Sequence, residues 1–203
     1  GAGGVRVGPR VQAGDGWRRS ARDLTWQGTG VEIKTTTRST SSHAIHGVHQ
    51  IEPAPATADA PGEARLLLVS VGLRQADPNV PALSIPSLVD SIIERLTASG
   101  AGGLVVEFLR RVAIYGSESG IGYEHETMAN EAPFTTSFTV TFIRGYDMAD
   151  PAVEVLRHDD VVAHQHVDAQ SLTFRVELPA TIRLNNPIAG ARRVAEAILG
   201  LHS

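Results

Sequence analysis

Arg22-Asp23-Leu24-Thr25-Trp26-Gln27-Gly28-Thr29-Gly30-Val31-Glu32-Ile33-Lys34-Thr35-Thr36-Thr37 holds two short runs of strand-forming residues around a turn signal. Arg22 to Trp26 is the first strand candidate and Gln27-Gly28-Thr29-Gly30 the turn. Val31 to Thr37, rich in β-branched residues, is the second strand, so the stretch predicts a hairpin. Side chains alternate along a strand, which puts Glu32 and Lys34 on one face. A tight turn brings Asp23 across to Glu32. Lys34 is the single lysine of the 203 residues, against seventeen arginines. In so Arg-rich a chain, the lysine that remains is a candidate for a task the guanidinium cannot perform. The ammonium is a compact point charge with three donors, whereas the guanidinium is a wide, permanently charged fork.

Two carboxylates that meet across a hairpin can share one divalent cation. Mg²⁺ suits such a site, because it takes a few hard oxygens and keeps other positions for water and substrate phosphate. Asp23 and Glu32 are the expected side-chain ligands, with the backbone carbonyl of Ile33 between them and Mn²⁺ as the natural substitute. Lys34, on the face of Glu32, is placed to hold an attacking water and to stabilise developing charge.

Outward from the hairpin, the polar stretch Arg38 to His43 leads into Ala44–Ile51, read as a loop or a short helix. Leu66-Leu67-Leu68-Val69-Ser70-Val71 is a nearly continuous apolar run, expected of a central strand covered on both faces. Ser87-Leu88-Val89-Asp90 has capping-box spacing, followed by Ile92, Ile93 and Leu96 at helical spacing. Leu104–Ala113 is a second helix. The alternations Phe138/Val140/Phe142 and Leu172/Phe174/Val176/Leu178 predict antiparallel strands, and Asn186-Pro187 opens a C-terminal helix. The expectation is an α/β domain, a mixed central sheet flanked by helices, with additional antiparallel strands in the C-terminal half. One domain spans 1–203. The missing initiator methionine reads as the loss of an upstream N-terminal segment.

With 42% hydrophobic residues the chain can bury one core, and without cysteine it has neither disulfides nor thiolate metal sites. A cytoplasmic protein without a membrane partner is expected, since no apolar run approaches the roughly 20 residues of a bilayer span. The net charge of −4 is unevenly distributed. Residues 1–50 carry seven basic and three acidic side chains, net +4, and the remainder 11 basic and 19 acidic, net −8. A local basic face attracts a polyphosphate, making Arg18, Arg19, Arg22 and Arg38 candidate phosphate contacts; a solvated Arg-rich surface is the alternative.

Asp23-(x)8-Glu32-Ile33-Lys34 resembles the PD-(D/E)xK nuclease signature, and the chain from Trp17 onward is similar to bacterial proteins described as "PD-(D/E)XK motif protein". The matching pieces are Trp17, Asp23-Leu24, Gly30 to Thr36, Arg38 with His43, Gln50, Val71, the Ser84–Leu96 helix start, Phe108, Gly122-Tyr123 and the Leu172–Leu178 strand. Arg22 stands where the motif has proline. An acidic residue often carried upstream has no counterpart except Asp15, in a turn. The resemblance implies a restriction-endonuclease-like core. It also implies Mg²⁺-dependent hydrolysis of DNA phosphodiesters by an endonuclease, in restriction or phage defence, as a homodimer or within a larger defence complex. Thr35, Thr36, Arg38, His43 and Gln50 then lie along the DNA.

Two other readings stay open. One is a non-catalytic DNA-binding or assembly module with a nuclease-like fold. The other is a histidine-based metal protein, using His43-x-x-His46-x-x-His49 or the pair His164 and His166.

Overall fold

A computed structural model of the chain describes residues 22–57, 61–77, 80–114, 122–168 and 171–201. The elements run β1 (Leu24–Trp26), β2 (Thr29–Thr36), β3 (Ser41–His46), β4 (Arg65–Gln75), α1 (Ile85–Ala98), α2 (Val105–Ile114), α3 (His125–Met128) and α4 (Ala132–Thr135). Then follow β5 (Phe138–Asp147), α5 (His158–Val162), β6 (Thr173–Leu178), β7 (Ile188–Ala189) and α6 (Ala191–Leu199).

The predicted hairpin forms. β1 and β2 pair antiparallel, with Leu24 opposite Val31 and Trp26 opposite Thr29. The turn is Gln27-Gly28, both at positive φ (46° and 79°), the twist that suits a two-residue hairpin loop. The β1–β2 pairing ends at Val31 while β2 continues to Thr36. Beyond Val31 no other described strand lies along that edge.

β4 lies at the centre of a mixed five-stranded sheet of order β1-β2-β4-β5-β7, parallel to β2 and antiparallel to β5. Leu66, Leu67, Leu68 and Val69 are buried, as a strand covered on both faces requires. Leu66 and Leu68 pack with Ile45, Tyr146, Met148, Val176 and Leu178 on one side. Val69 packs with Val31 and Val194 of α6 on the other.

The two covers differ, which refines the expectation of a mixed sheet flanked by helices. α6 covers one face, and the other is covered by a separate two-stranded antiparallel sheet of β3 and β6. Ser41–His46 is therefore a strand rather than a loop or helix, and only Val48–Gln50 makes a short 3₁₀ turn. The reason lies in pairing: Ser41, His43 and Ile45 sit opposite Leu178, Val176 and Phe174, giving β3 a buried side that its own polar residues do not announce. Of the C-terminal alternating segments, β5 joins the central sheet while β6 joins this cover.

Two helix starts also move. Ser84, not Ser87, caps α1, and Ser87 is its reciprocal partner at the third helical position. The Asn186–Pro187 bond is cis and leads into β7, so the C-terminal helix begins only at Ala191. A third cluster, Val89, Tyr123 and Phe134, joins α1 to α4 and the segment between the helices. No described helix is long and apolar enough to cross a membrane.

Candidate active site

Asp23 stands where β1 gives out. Its backbone N–H donates to the Val31 carbonyl at 3.1 Å, and its carboxylate Oδ2 accepts the Ile33 N–H at 2.7 Å. A side chain thus takes the place of the next strand partner. Ile33 and Val31, two residues apart, direct their backbone polar groups to the same edge, so the Ile33 carbonyl faces the Asp23 side.

Glu32 and Lys34 share the opposite register of β2, beside Leu68 and Ser70 of β4. Lys34 Nζ and Glu32 Oε1 are 2.9 Å apart, with side chains only 15% and 9% exposed. The Glu32 carboxyl titrates above its usual range. Burial is the main cause, the Asp23 charge pushes the same way, and Lys34 and Arg22 oppose both. A carboxyl left above its ordinary value beside an ammonium is a site still short of positive charge.

β3 brings His43 against this pair. Its Nε2 lies 2.8 Å from Ser70 Oγ, and a hydrogen bond to the Thr35 backbone satisfies the same open edge one step beyond Ile33. Burial first, and the Lys34 charge second, push the imidazole down to about 4, with Arg175 adding to the fall and the Thr35 bond resisting it. The ring is neutral at physiological pH. His43 is thus a buried tie between β3, β4 and β2, and it lies in the wall of the recess beyond Thr36. Because folding lowers its proton affinity, the unfolded chain binds the extra proton between about 6.5 and 4. Stability should fall as pH drops through that window, by on the order of 3 kcal/mol if His43 acts alone. Urea midpoints from pH 7.5 to 4.5 for the wild type and His43→Gln check it. A wild-type slope no steeper than that of His43→Gln would refute the assignment.

Past Thr36 the edge of β2 opens on a recess of about 610 Å³, lined by Lys34, Thr35, Thr36, Arg38, Ser42 and Arg175 among others. Thr35 is exposed; Thr36 is buried, its Oγ1 accepting the Arg38 N–H at 3.1 Å in the turn that follows. Two expected DNA contacts lie elsewhere. Arg22 is buried, its guanidinium held by Glu63 and the carbonyls of His49 and Glu52, so its charge is spent inside the fold. Gln50 folds back through Oε1 to accept the His46 N–H at 2.9 Å and shapes the turn after β3. Arg18 and Arg19, with Trp17 and Asp15, lie outside the described residues.

Sequence reasoning passed over Ser70 and Arg175. Ser70 had a signal, as the one hydroxyl breaking an apolar run that becomes the central strand. Arg175 had none, since it reads as an ordinary outward residue of an alternating strand.

The donor set admits a hard divalent cation. Asp23 stands immediately before β1 and Glu32 on the adjacent β2, the Ile33 backbone faces the same edge, and Glu32 is electrostatically receptive. The imidazoles do not converge: His43 and His46 lie on opposite faces of β3, and His46 Nδ1 turns to Thr173 Oγ1 at 3.4 Å. Among the described residues no group of three or more metal-ligating side chains forms. The chain matches no family model, no curated protein and no solved structure.

Proposed function

We propose that the chain is a Mg²⁺-dependent endodeoxyribonuclease with a restriction-endonuclease-like core. The observation that carries this reading is the meeting of Asp23, Glu32 and Lys34 at the open edge of β2, beside a recess with Arg38 and Arg175 on its walls. Asp23 and Glu32, with the Ile33 carbonyl, would hold the cation. When bound, a divalent cation acidifies water and neutralises charge on a phosphate. Lys34 faces both Glu32 and the recess. Freed from the carboxylate, its ammonium can orient the attacking water and donate to the phosphate oxygen as charge develops there. The buried tie of His43 to Ser70 and to the Thr35 backbone keeps the lysine-bearing strand in place.

In this scheme plasmid DNA is nicked or cut in Mg²⁺ or Mn²⁺ and left intact in EDTA. Mg²⁺ should also raise the thermal midpoint, because it binds the folded carboxylates and not the unfolded chain. The rise should vanish in Glu32→Gln. An equal rise in that variant would remove the cation from this site. The ion pair favours a second reading, a DNA-binding module without cleavage, because Lys34 is engaged with a buried Glu32 rather than turned to a water or a phosphate. Binding of DNA in EDTA with no cut under any divalent ion would select it.

A further inference from the structure

The recess has a second cationic centre away from the carboxylates. Arg175 sits opposite Ala44, and Glu177 opposite Ser42, in the β3–β6 pairing. Arg38 Nη1 lies 3.4 Å from Glu177 Oε1, Ser42 Oγ donates to the same oxygen at 3.3 Å, and Arg175 Nη1 donates to Ser42 Oγ at 3.3 Å. One carboxylate oxygen thus gathers one guanidinium directly and a second through a hydroxyl. All three contacts are long, and the Arg38–Glu177 pair is exposed, its side chains 56% and 65% accessible, while the Ser42 hydroxyl beneath it is buried. Exposed pairs of this kind hold little free energy and are readily exchanged.

We infer that Arg38, Arg175 and Ser42 form a phosphate subsite on the β3–β6 layer, with Glu177 as its resident anion until a phosphate displaces it. Its ligand is a DNA backbone phosphate next to the one being cut. The inference rests on the nuclease reading only in setting this phosphate beside a scissile one; the binding itself stands apart from cleavage. Guanidiniums are suited to the task because their forked donors match the oxygens of a phosphate. The described residues lining the recess include no Phe, Tyr or Trp, and its cations are guanidiniums. Contacts of this class position the backbone and carry no base information.

The test is fluorescence anisotropy of the whole chain on two duplexes of unrelated sequence, in EDTA, over a salt series. Arg175→Ala and Arg175→Gln should weaken binding alike on both duplexes and flatten the log–log salt slope by about 1. Glu177→Gln should act in the opposite sense, tightening binding by removing the competing anion. Both side chains are exposed strand positions, and circular dichroism confirms that the variants fold. An unchanged slope in both Arg175 variants, or weaker binding by Glu177→Gln, would overturn the subsite, as would a wild type that does not bind duplex at low salt. Inorganic phosphate serves as competitor. Displacement of the duplex at micromolar phosphate would assign the site to a free anion and also overturn the proposal. Variant effects as expected, with no cleavage by the wild type in Mg²⁺ or Mn²⁺, would sink the nuclease reading while leaving the subsite standing.

Discussion

Replacing Lys34 by arginine should remove most cleavage while leaving fold and DNA binding in place. The lysine projects from β2 into the recess and pairs with Glu32 at 2.9 Å, so an arginine of equal charge can still neutralise that carboxylate. It cannot deliver the same donor to a water, because its planar fork is wider and occupies the space where water or phosphate must sit. A loss of at least about a hundredfold in rate is expected, the scale of one transition-state donor. Lys34→Ala should fall at least as far. Alanine also leaves Glu32 buried without its ammonium, so some stability should go with it, whereas arginine isolates the chemistry. Single-turnover cleavage in Mg²⁺, read beside anisotropy in EDTA, separates the two effects. Cleavage by Lys34→Arg within a few fold of wild type would mean that charge alone suffices, and the mechanistic role of the compact ammonium would be lost.

The second large effect is on folding. Arg22→Ala should destabilise the domain by about 3–5 kcal/mol, the scale of removing one partner from a buried ion pair. The Arg22 and Glu63 side chains are 3% and 8% exposed and lie 2.8 Å apart. The Glu63 carboxylate also accepts the Ala54 N–H at 2.7 Å, so this pair closes the connection between β3 and β4 onto the first strand. Against a typical total of about 5–15 kcal/mol, the loss would be visible as a large fall in the urea midpoint. A variant of unchanged midpoint whose DNA binding alone weakened would return Arg22 to the surface role that its place in a basic segment suggests.

How much of this was legible beforehand depends on the range of the interaction. The β1–β2 hairpin rests on residues within about a dozen positions of one another, and a Gln-Gly turn between two runs of strand-forming residues is enough to specify it. The central strand is equally local in its signal, because Leu66 to Val69 is apolar without a break. The placement of Asp23 near Glu32 and Lys34 follows from these two facts. The nature of β3 does not. Its polar Ser-Ser-His run becomes a strand through β6, 127 to 137 positions away in register pairs such as Ser41–Leu178 and His46–Thr173.

The sequence by itself determined which chemistry-bearing groups could meet at one edge, a pair of acids and a single ammonium, since strand alternation and a short turn dictate their neighbourhood. Only the tertiary structure decided what surrounds them. It turned Arg22 and His43 inward, because Glu63 and Ser70 supply their partners from other strands and connections. It brought Arg175 to the recess, because β6 pairs with β3. Burial and long-range pairing depend on which surfaces meet, and no local period in the chain encodes that choice.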